Sequence, residues 1–280
     1  MRLPAVLLGA LLLGGAPLAA QTGDEAAPAG HPDSLRARFY VPEPPRDWGR
    51  DLRPHASPSL GANSPVAFGG RTGDVFAAAS ATARARQVQA VDGSYAVGFA
   101  LGDPDRLVSL DVAVISFSSF RSGFWKRGAI DLQLSRSLPS GFSVAAGWEA
   151  PVTWGATDGG SSRYVALSKW TPLRERDDQA FSAVMLTAGI GDGRFQSIEA
   201  FSAGENGVGV FGSVGIRVAA PLAVVADWTG QDLTALVSVA PFRRLPLSLS
   251  FGMADLTGRV GETPRFVASG GVGLNLGELF

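Results

Sequence analysis

The sequence offers few histidines for acid–base chemistry. The chain has two, His31 and His55, and both precede residue 65. Residues 65–280 therefore offer no Ser–His or Asp–His pair, unless the N-terminal part folds back into a site. The chain also has no cysteine, so neither disulfides nor cysteine-based metal sites are available. We expect no catalytic site, no cofactor and no metal site, and we interpret the protein as a non-enzyme.

The most distinctive local motif is Asp227-Trp-Thr-Gly-Gln-Asp232. Its Thr-Gly-Gln centre predicts a tight hairpin turn in which Gly230 supplies a positive φ. The two flanking acids are suited to binding a cation or a sugar, and equally to accepting hydrogen bonds from neighbouring backbone. The glycine-rich run 270–273 lacks the following helix and acid of a phosphate-binding loop, so we interpret it as small residues in a strand.

The elements that position these residues are strands, because apolar and polar residues alternate with a period of two. In the last stretch, one face carries Phe266, Val272 and Leu274 and the other mostly small or polar residues. The same pattern recurs along the chain after residue 65. It predicts twelve strands at 75–84, 94–102, 107–117, 128–136, 142–150, 163–170, 180–190, 207–218, 222–228, 232–240, 245–253 and 265–280.

The last strand ends on Phe280, and in this it resembles bacterial outer-membrane β-barrels, whose final strand commonly ends in Phe and closes against the first. The resemblance implies an even number of alternating strands of about ten residues. It also implies that Phe280 addresses the chain to the barrel assembly machinery. We therefore predict an all-β, antiparallel up-and-down transmembrane barrel of about twelve strands at residues 65–280, preceded by an extended arm.

The connections between the predicted strands support a barrel. Seven of the eight prolines after Pro65 fall in predicted connections, as expected because proline disrupts a central strand, and Pro246 is the second residue of a predicted strand. Short and long connections also alternate, as the periplasmic turns and outer loops of such barrels do. Two connections break the alternation, since 229–231 is tight on the long side and 171–179 is long on the short side. The main alternative, a soluble exported β-sandwich, does not explain this alternation.

Charged residues in these strands are predicted to face the barrel interior, because Arg or Lys facing hydrocarbon in mid-bilayer costs roughly 2–4 kcal/mol. The predicted lumen-facing set is Arg84, Asp111, Asp131, Glu149, Lys169, Arg217, Asp227 and Asp232. These residues form either a salt-bridge network that fills the lumen or a polar path with an acidic mouth. Barrels of about twelve strands lie between the filled and the open classes, so width does not decide.

Aromatic residues are predicted to form two girdles, because amphipathic rings favour membrane interfaces. At the end with short connections the predicted girdle residues are Phe142, Trp170, Phe181 and Phe280. At the end with long connections they are Tyr95, Trp148, Tyr164, Trp228 and Phe266.

The N-terminal part of the chain differs in composition from the rest. Residues 1–21 have the pattern of a secretory signal peptide, with a positive start, an apolar core and small residues before the cleavage region. Residues 22–64 are rich in proline and lack periodicity, which predicts a flexible arm or linker. The arm is either a periplasmic linker or a plug or docking segment anchored by Phe39, Tyr40 and Trp48.

Net charge and a second resemblance bear on function. Lys and Arg number 24 and Asp and Glu 25, so the net charge of −1 gives no argument for nucleic acid. Residues 208–258 contain a Trp-Thr-Gly-Gln-Asp turn and an Ala-Pro-Phe-Arg-Arg-Leu-Pro connection, and in these they resemble outer-membrane barrels associated with exopolysaccharide export. The resemblance implies a structural or export-related barrel without catalysis. We therefore expect a porin-like barrel in the outer membrane of a Gram-negative cell, in contact with lipid, for passage or export of small polar solutes or polysaccharide. The alternatives are a non-conducting structural or binding barrel and a soluble exported sandwich that acts as a binding module.

Overall fold

Twelve antiparallel strands form one sheet that closes on itself. The computed structural model describes residues 57–83, 91–117, 123, 125–155, 160–176, 178–243, 245–259 and 263–278. Each strand pairs with the next along the chain, and β1 pairs with β12 to complete a closed barrel. The predicted antiparallel meander of about twelve strands is confirmed. A sandwich of two sheets is wrong, because a single sheet without free edges encloses the interior.

The strands are β1 (Asp74–Thr82), β2 (Asp92–Gly102), β3 (Ser109–Ser116), β4 (Gly128–Leu138), β5 (Phe142–Trp154), β6 (Ser162–Pro172), β7 (Ala183–Gly191), β8 (Gly209–Ala219), β9 (Leu222–Trp228), β10 (Leu233–Val239), β11 (Leu247–Ala254) and β12 (Arg265–Asn275). One short helix, α1 (Ile198–Ala203), and 3₁₀ turns at Pro139–Gly141, Gly193–Phe195 and Leu276–Glu278 complete the described elements. In the described ranges, no helix is long and apolar enough to cross a membrane.

The two ends of the barrel differ in their connections. We call the end with the connections 139–141 and 220–221 the turn end, and the end with the connections 155–161 and 192–208 the loop end. The tight connection 229–232 lies at the loop end and the longer connection 173–182 at the turn end, which are the two exceptions that the sequence predicted. Gly230 has a φ of 93°, as its tight turn requires.

Large apolar side chains cover the outside of the barrel, whereas polar ones point inward. The exposed outward side chains are Val97, Phe99 and Leu101 on β2, Leu134 on β4, Trp148 on β5, Val165 and Leu167 on β6, Leu186 and Ile190 on β7, Val210 and Val214 on β8, Val224 on β9, Val237 on β10, Phe251 and Met253 on β11 and Phe266 on β12. Inward neighbours such as Asp111, Gln133 and Ser168 are buried. The alternation therefore sorts the side chains in the opposite sense to a soluble barrel.

Most strand boundaries differ from the prediction by a few residues, and three of the differences have a clear local cause. β5 continues through Pro151, because a register shift against β4 and a φ of 51° at Ala150 form a bulge that accommodates the proline. Pro172 is the last residue of β6, where its missing N–H removes little pairing. β12 ends at Asn275, after which the chain turns into Leu276–Glu278.

Candidate functional site

Residues 57–70 lie inside the barrel and lead to Arg71 and Thr72 at the rim of the turn end, and we call residues 57–72 the inner loop. Leu60, Ala62, Val66 and Ala67 have no exposed surface, although they belong to no strand. Their apolar side chains pack against inward residues of the wall in three clusters. The 64/65 boundary that we expected between arm and barrel falls within this segment.

Wall side chains bind the backbone of the inner loop at successive heights. Beginning at the turn end, the Ser59 N–H donates to Ser238 Oγ at 2.8 Å. Near the loop end, the Ser64 N–H donates to Asp227 Oδ2 at 2.9 Å and the Ser64 hydroxyl to Asp227 Oδ1 at 3.1 Å. These contacts satisfy buried backbone groups that have no strand partner.

The second half of the inner loop returns to the turn end along another part of the wall. The Ala67 N–H donates to Ser168 Oγ at 2.9 Å, and Ser143 Oγ donates to the Ala67 carbonyl at 2.7 Å. The Thr72 N–H then donates to the Gly102 carbonyl at 2.8 Å, just before β1 begins. The inner loop thus enters and leaves the lumen at the same end.

The 192–208 connection folds into the lumen from the loop end. Phe195 is fully buried and contacts Tyr164 and Phe211, with ring centroids 5.6 and 4.4 Å away. A Cβ on Gly209 or Gly230 would overlap the Phe195 carbonyl, so these glycines allow the close approach. The loop end is therefore narrowed by a folded-in connection as well as by the inner loop.

Arg194 links this connection to the wall and to the inner loop. Its guanidinium forms a bidentate ion pair with Glu149, with Nη2 2.6 Å from Oε1 and Nε also bonded to the carboxylate. The same Nη2 donates to the Asn63 carbonyl at 3.1 Å. Burial favours the neutral form, but Glu149 outweighs it, so the pKa of Arg194 lies above its ordinary value.

The inward acids are buried and hydrogen-bonded. Asp111 accepts from the Gly70 N–H at 2.9 Å, and Asp131 accepts from the Ala150 N–H at 2.7 Å. Asp232 accepts from Thr229 Oγ1 at 2.9 Å and pairs with Arg265 at 3.2 Å. In these positions the acids hold backbone and cations in place and do not form an open acidic mouth.

Arg217 is inward and buried, and its guanidinium donates to the Ser57 hydroxyl where the inner loop enters the lumen. Of the eight predicted lumen residues, Asp111, Asp131, Glu149, Arg217, Asp227 and Asp232 thus lie buried at the interior. Arg84 lies outside the described residues.

Lys169 is outward, contrary to the prediction. Its ammonium nitrogen lies 3.9 Å from the centroid of the Phe142 ring and donates to the Ser140 carbonyl at 2.9 Å. Lys169 lies near the turn end of β6, where a long side chain reaches polar groups at the rim. The cost of a charge in mid-bilayer therefore does not apply to this residue.

Two predicted girdle residues, Tyr164 and Trp170, lie inside. The Tyr164 hydroxyl donates to Gln133 Oε1 at 2.6 Å, and its ring packs with Ala67, Phe195 and Phe211. Trp170 packs near Leu60 and Val66 of the inner loop. The even-numbered residues of β6 face inward, so both rings belong to the lumen packing.

The other predicted girdle residues are outward or lie in a turn. Tyr95, Phe142, Trp148, Trp228 and Phe266 lie on outward faces, and Phe181 is exposed in the 173–182 connection. Phe280 lies outside the described residues. Whether these rings lie at a membrane interface stays a prediction.

Sequence reasoning missed Arg194, Phe195 and the contacts of residues 57–72, because these residues lie in aperiodic segments. Within the described ranges, no group of three or more acidic side chains is placed to hold a metal ion. No protein-family model matches the chain, and no curated protein matches it. Function is therefore inferred from the barrel and the contents of its lumen.

Proposed function

We propose that the protein is an outer-membrane β-barrel of a Gram-negative cell that passes or exports small polar solutes or polysaccharide and is closed at rest by its inner loop. The observation that carries the proposal is the sorting of side chains across the wall. Rings and branched aliphatic groups such as Phe99, Val165 and Phe251 are exposed outward, while Asp111 and Gln133 are buried inward. A closed barrel also leaves no unpaired strand edge, as a bilayer requires.

Passage requires the inner loop to move. The loop joins inward residues of β3, β5, β6, β8, β9 and β10, and a Cβ on Gly215 would overlap the Leu60 carbonyl. Both ends of the loop lie at the turn end, so it withdraws without being threaded through the barrel. A polysaccharide chain would need this withdrawal more than a small solute would.

A second candidate function is a non-conducting structural or binding barrel. The specific observation in its favour is the buried contact of Arg194 with Glu149 and the Asn63 carbonyl. This contact ties the inner loop to the wall at the loop end, where a solute would leave. In either case we propose membrane lipid and the barrel assembly machinery as partners.

The location is tested by cell fractionation and gel mobility. We expect the protein in the outer-membrane fraction, with a folded form that migrates differently before and after heating. Depletion of the barrel assembly machinery should lower the yield of that folded form. Recovery as a soluble monomer without detergent contradicts the proposal.

A further inference from the structure

Charged residues are distributed unequally between the two faces of the barrel wall. Every acid in the described strands lies on the inward face, and so do Arg217 and Arg265. The outward face of the strands carries three charged residues, Arg136, Arg163 and Lys169, and all three are cations. They lie on β4 and β6, the two neighbours of β5. We call the outward face of β4, β5 and β6 the basic face.

The outward position of these cations follows from the alternation of the strands. Arg136 follows the exposed Leu134 by two residues on β4, so both side chains point outward. On β6, Arg163 precedes the exposed Val165 by two residues in the same way. Each cation lies near a rim of the wall, Arg163 at the loop end and the other two at the turn end.

The cost of placing charge on the lipid face does not explain why all three residues are positive. An acid costs less there than Arg or Lys, and the cost becomes small toward either interface. Positions near the rims would therefore accept Asp or Glu at least as readily. An attraction to negative charge outside the wall favours cations alone, and the rims of a barrel in a bilayer meet lipid headgroups.

Arg136 and Lys169 lie close together at the turn end. They are on opposite sides of β5, where Arg136 is opposite Val144 and Lys169 is opposite Phe142. Because strands lie about 4.8 Å apart and rise about 3.4 Å per residue, the two Cα atoms are about 12 Å apart. The pair thus presents two positive charges within one small area of the rim.

Neither cation of this pair forms an ion pair with a carboxylate among the described residues. Arg136 Nη1 donates to the Leu107 carbonyl at 3.0 Å, and Lys169 Nζ donates to the Ser140 carbonyl at 2.9 Å. A guanidinium has five N–H donors and an ammonium has three. Each side chain therefore keeps both its charge and further donors for an anion at the rim.

Arg163 holds the corresponding position at the loop end. Its guanidinium lies 5.1 Å from the centroid of the Trp148 ring, which is its neighbour on β5. Asp192 Oδ1 accepts from the Arg163 backbone N–H, so a negative charge lies close to this cation. The turn end is therefore the more electropositive end of the basic face.

We propose that Arg136 and Lys169 bind the phosphate groups of anionic membrane lipid at the turn end of the basic face. The proposal rests on the proposed membrane location and names the class of lipid that contacts this part of the wall. A guanidinium forms paired hydrogen bonds with two phosphate oxygens, and an ammonium acts as a point charge. The Phe142 ring, 3.9 Å from Lys169 Nζ, holds the ammonium at the rim.

Lipid retention by the purified, folded barrel tests the proposal. The whole chain in a neutral detergent is incubated with equal amounts of phosphatidylglycerol, which is anionic, and phosphatidylcholine, which has no net charge. Native mass spectrometry then counts the lipids that stay bound, and we expect the wild type to retain phosphatidylglycerol in preference. Arg136→Gln with Lys169→Gln should weaken this retention about 30-fold, since each cation near a lipid surface contributes about fivefold.

Two further double variants serve as controls. Arg174→Gln with Arg243→Gln removes two exposed cations from connections of the turn end and should preserve the preference. Arg136→Lys with Lys169→Arg keeps both charges and should preserve most of it, which separates the effect of charge from that of packing. Equal retention of both lipids by the wild type, equal loss in both glutamine variants, or full loss in the variant that keeps the charges overturns the proposal.

The lipid site and the proposed location fail in different ways. A heat-modifiable outer-membrane barrel without a preference for phosphatidylglycerol overturns the lipid site and leaves the proposed location standing. A protein recovered as a soluble monomer without detergent fails the proposed location, and the lipid site fails with it.

Discussion

At the scale of single residues, Arg194 joins three separate parts of the chain. It comes from the 192–208 connection, pairs with Glu149 on β5 and donates to the Asn63 carbonyl of the inner loop. Both partners of the ion pair are buried, with side-chain exposures of 7% and 9%. A buried pair contributes little by its mere presence, but losing one member leaves a charge without compensation.

We therefore predict that Glu149→Gln destabilises the barrel by about 3–5 kcal/mol, because the Arg194 guanidinium stays buried without its carboxylate. The free energy of unfolding in detergent, followed by tryptophan fluorescence in urea, measures the change. The double variant Glu149→Leu with Arg194→Met should regain most of the loss, since no charge remains buried. Asp178→Asn, which breaks an exposed pair with Arg176, should leave the unfolding curve almost unchanged. Equal curves for Glu149→Gln and Asp178→Asn contradict the prediction.

The residues on β6 show where sequence reasoning reaches its limit. Tyr164, Ala166 and Ser168 alternate with Val165, Leu167 and Lys169, so both faces carry a large group and a polar group. The more apolar odd-numbered set faces outward, which places Lys169 outside and Tyr164 inside. Tyr164 is stabilised inside the barrel because its hydroxyl donates a hydrogen bond to the Gln133 side chain and Phe195 packs against its ring. Both partners come from distant parts of the chain and give no local signal.

At the scale of elements, we expect the inner loop to determine whether the lumen conducts. We predict that the wild type passes no steady current through a planar bilayer, because residues 57–70 pack inside the lumen. Deleting 57–70 should open steady conductance, since every hydrogen bond between Ser59–Gly70 and the wall is then lost. Single-channel recording of the wild type and of this deletion measures the difference.

Two comparisons make this prediction sharper. Gly215→Leu should increase brief openings, because its side chain displaces the Leu60 carbonyl from the wall. The matched control is Ala226→Leu, which adds a leucine to the same wall on the outward face of β9 and should leave the openings unchanged. A folded, heat-modifiable deletion of 57–70 that stays silent supports the non-conducting barrel.

The strands could be predicted from sequence and the inner loop could not, for one physical reason. A strand buries one face, so its residues repeat with a period of two, as in Leu222–Trp228, whose predicted and observed bounds agree. The inner loop is surrounded by wall on all sides and is held through its backbone by Ser238, Asp227 and Ser168. Nothing in such a segment needs to alternate. The bulge at Ala150 is likewise invisible to a period of two, and it lets β5 pass through Pro151.

At the scale of the whole molecule, the two ends of the barrel should face different compartments. We predict that Ser161→Cys and Ser202→Cys, in the connections of the loop end, react with an impermeant reagent on whole cells, because long loops of such barrels face outward. Ser140→Cys, in the turn Pro139–Gly141, should stay unlabelled until the cells are opened. Labelling of Ser140→Cys alone on whole cells would show that the barrel has the opposite orientation.

The shared exit of both ends of the inner loop has a mechanical consequence. A pull on the chain before Ser57, directed away from the turn end, meets the bond of Arg217 first and that of Ser238 next. The bonds to Asp227 and Arg194 follow only after the chain has moved. The force therefore acts on one or two hydrogen bonds at a time. Pulling two strands past each other would instead load all the hydrogen bonds between them at once. We therefore expect the inner loop to yield to a smaller force than the paired strands, and to leave the hydrogen bonds between the strands intact.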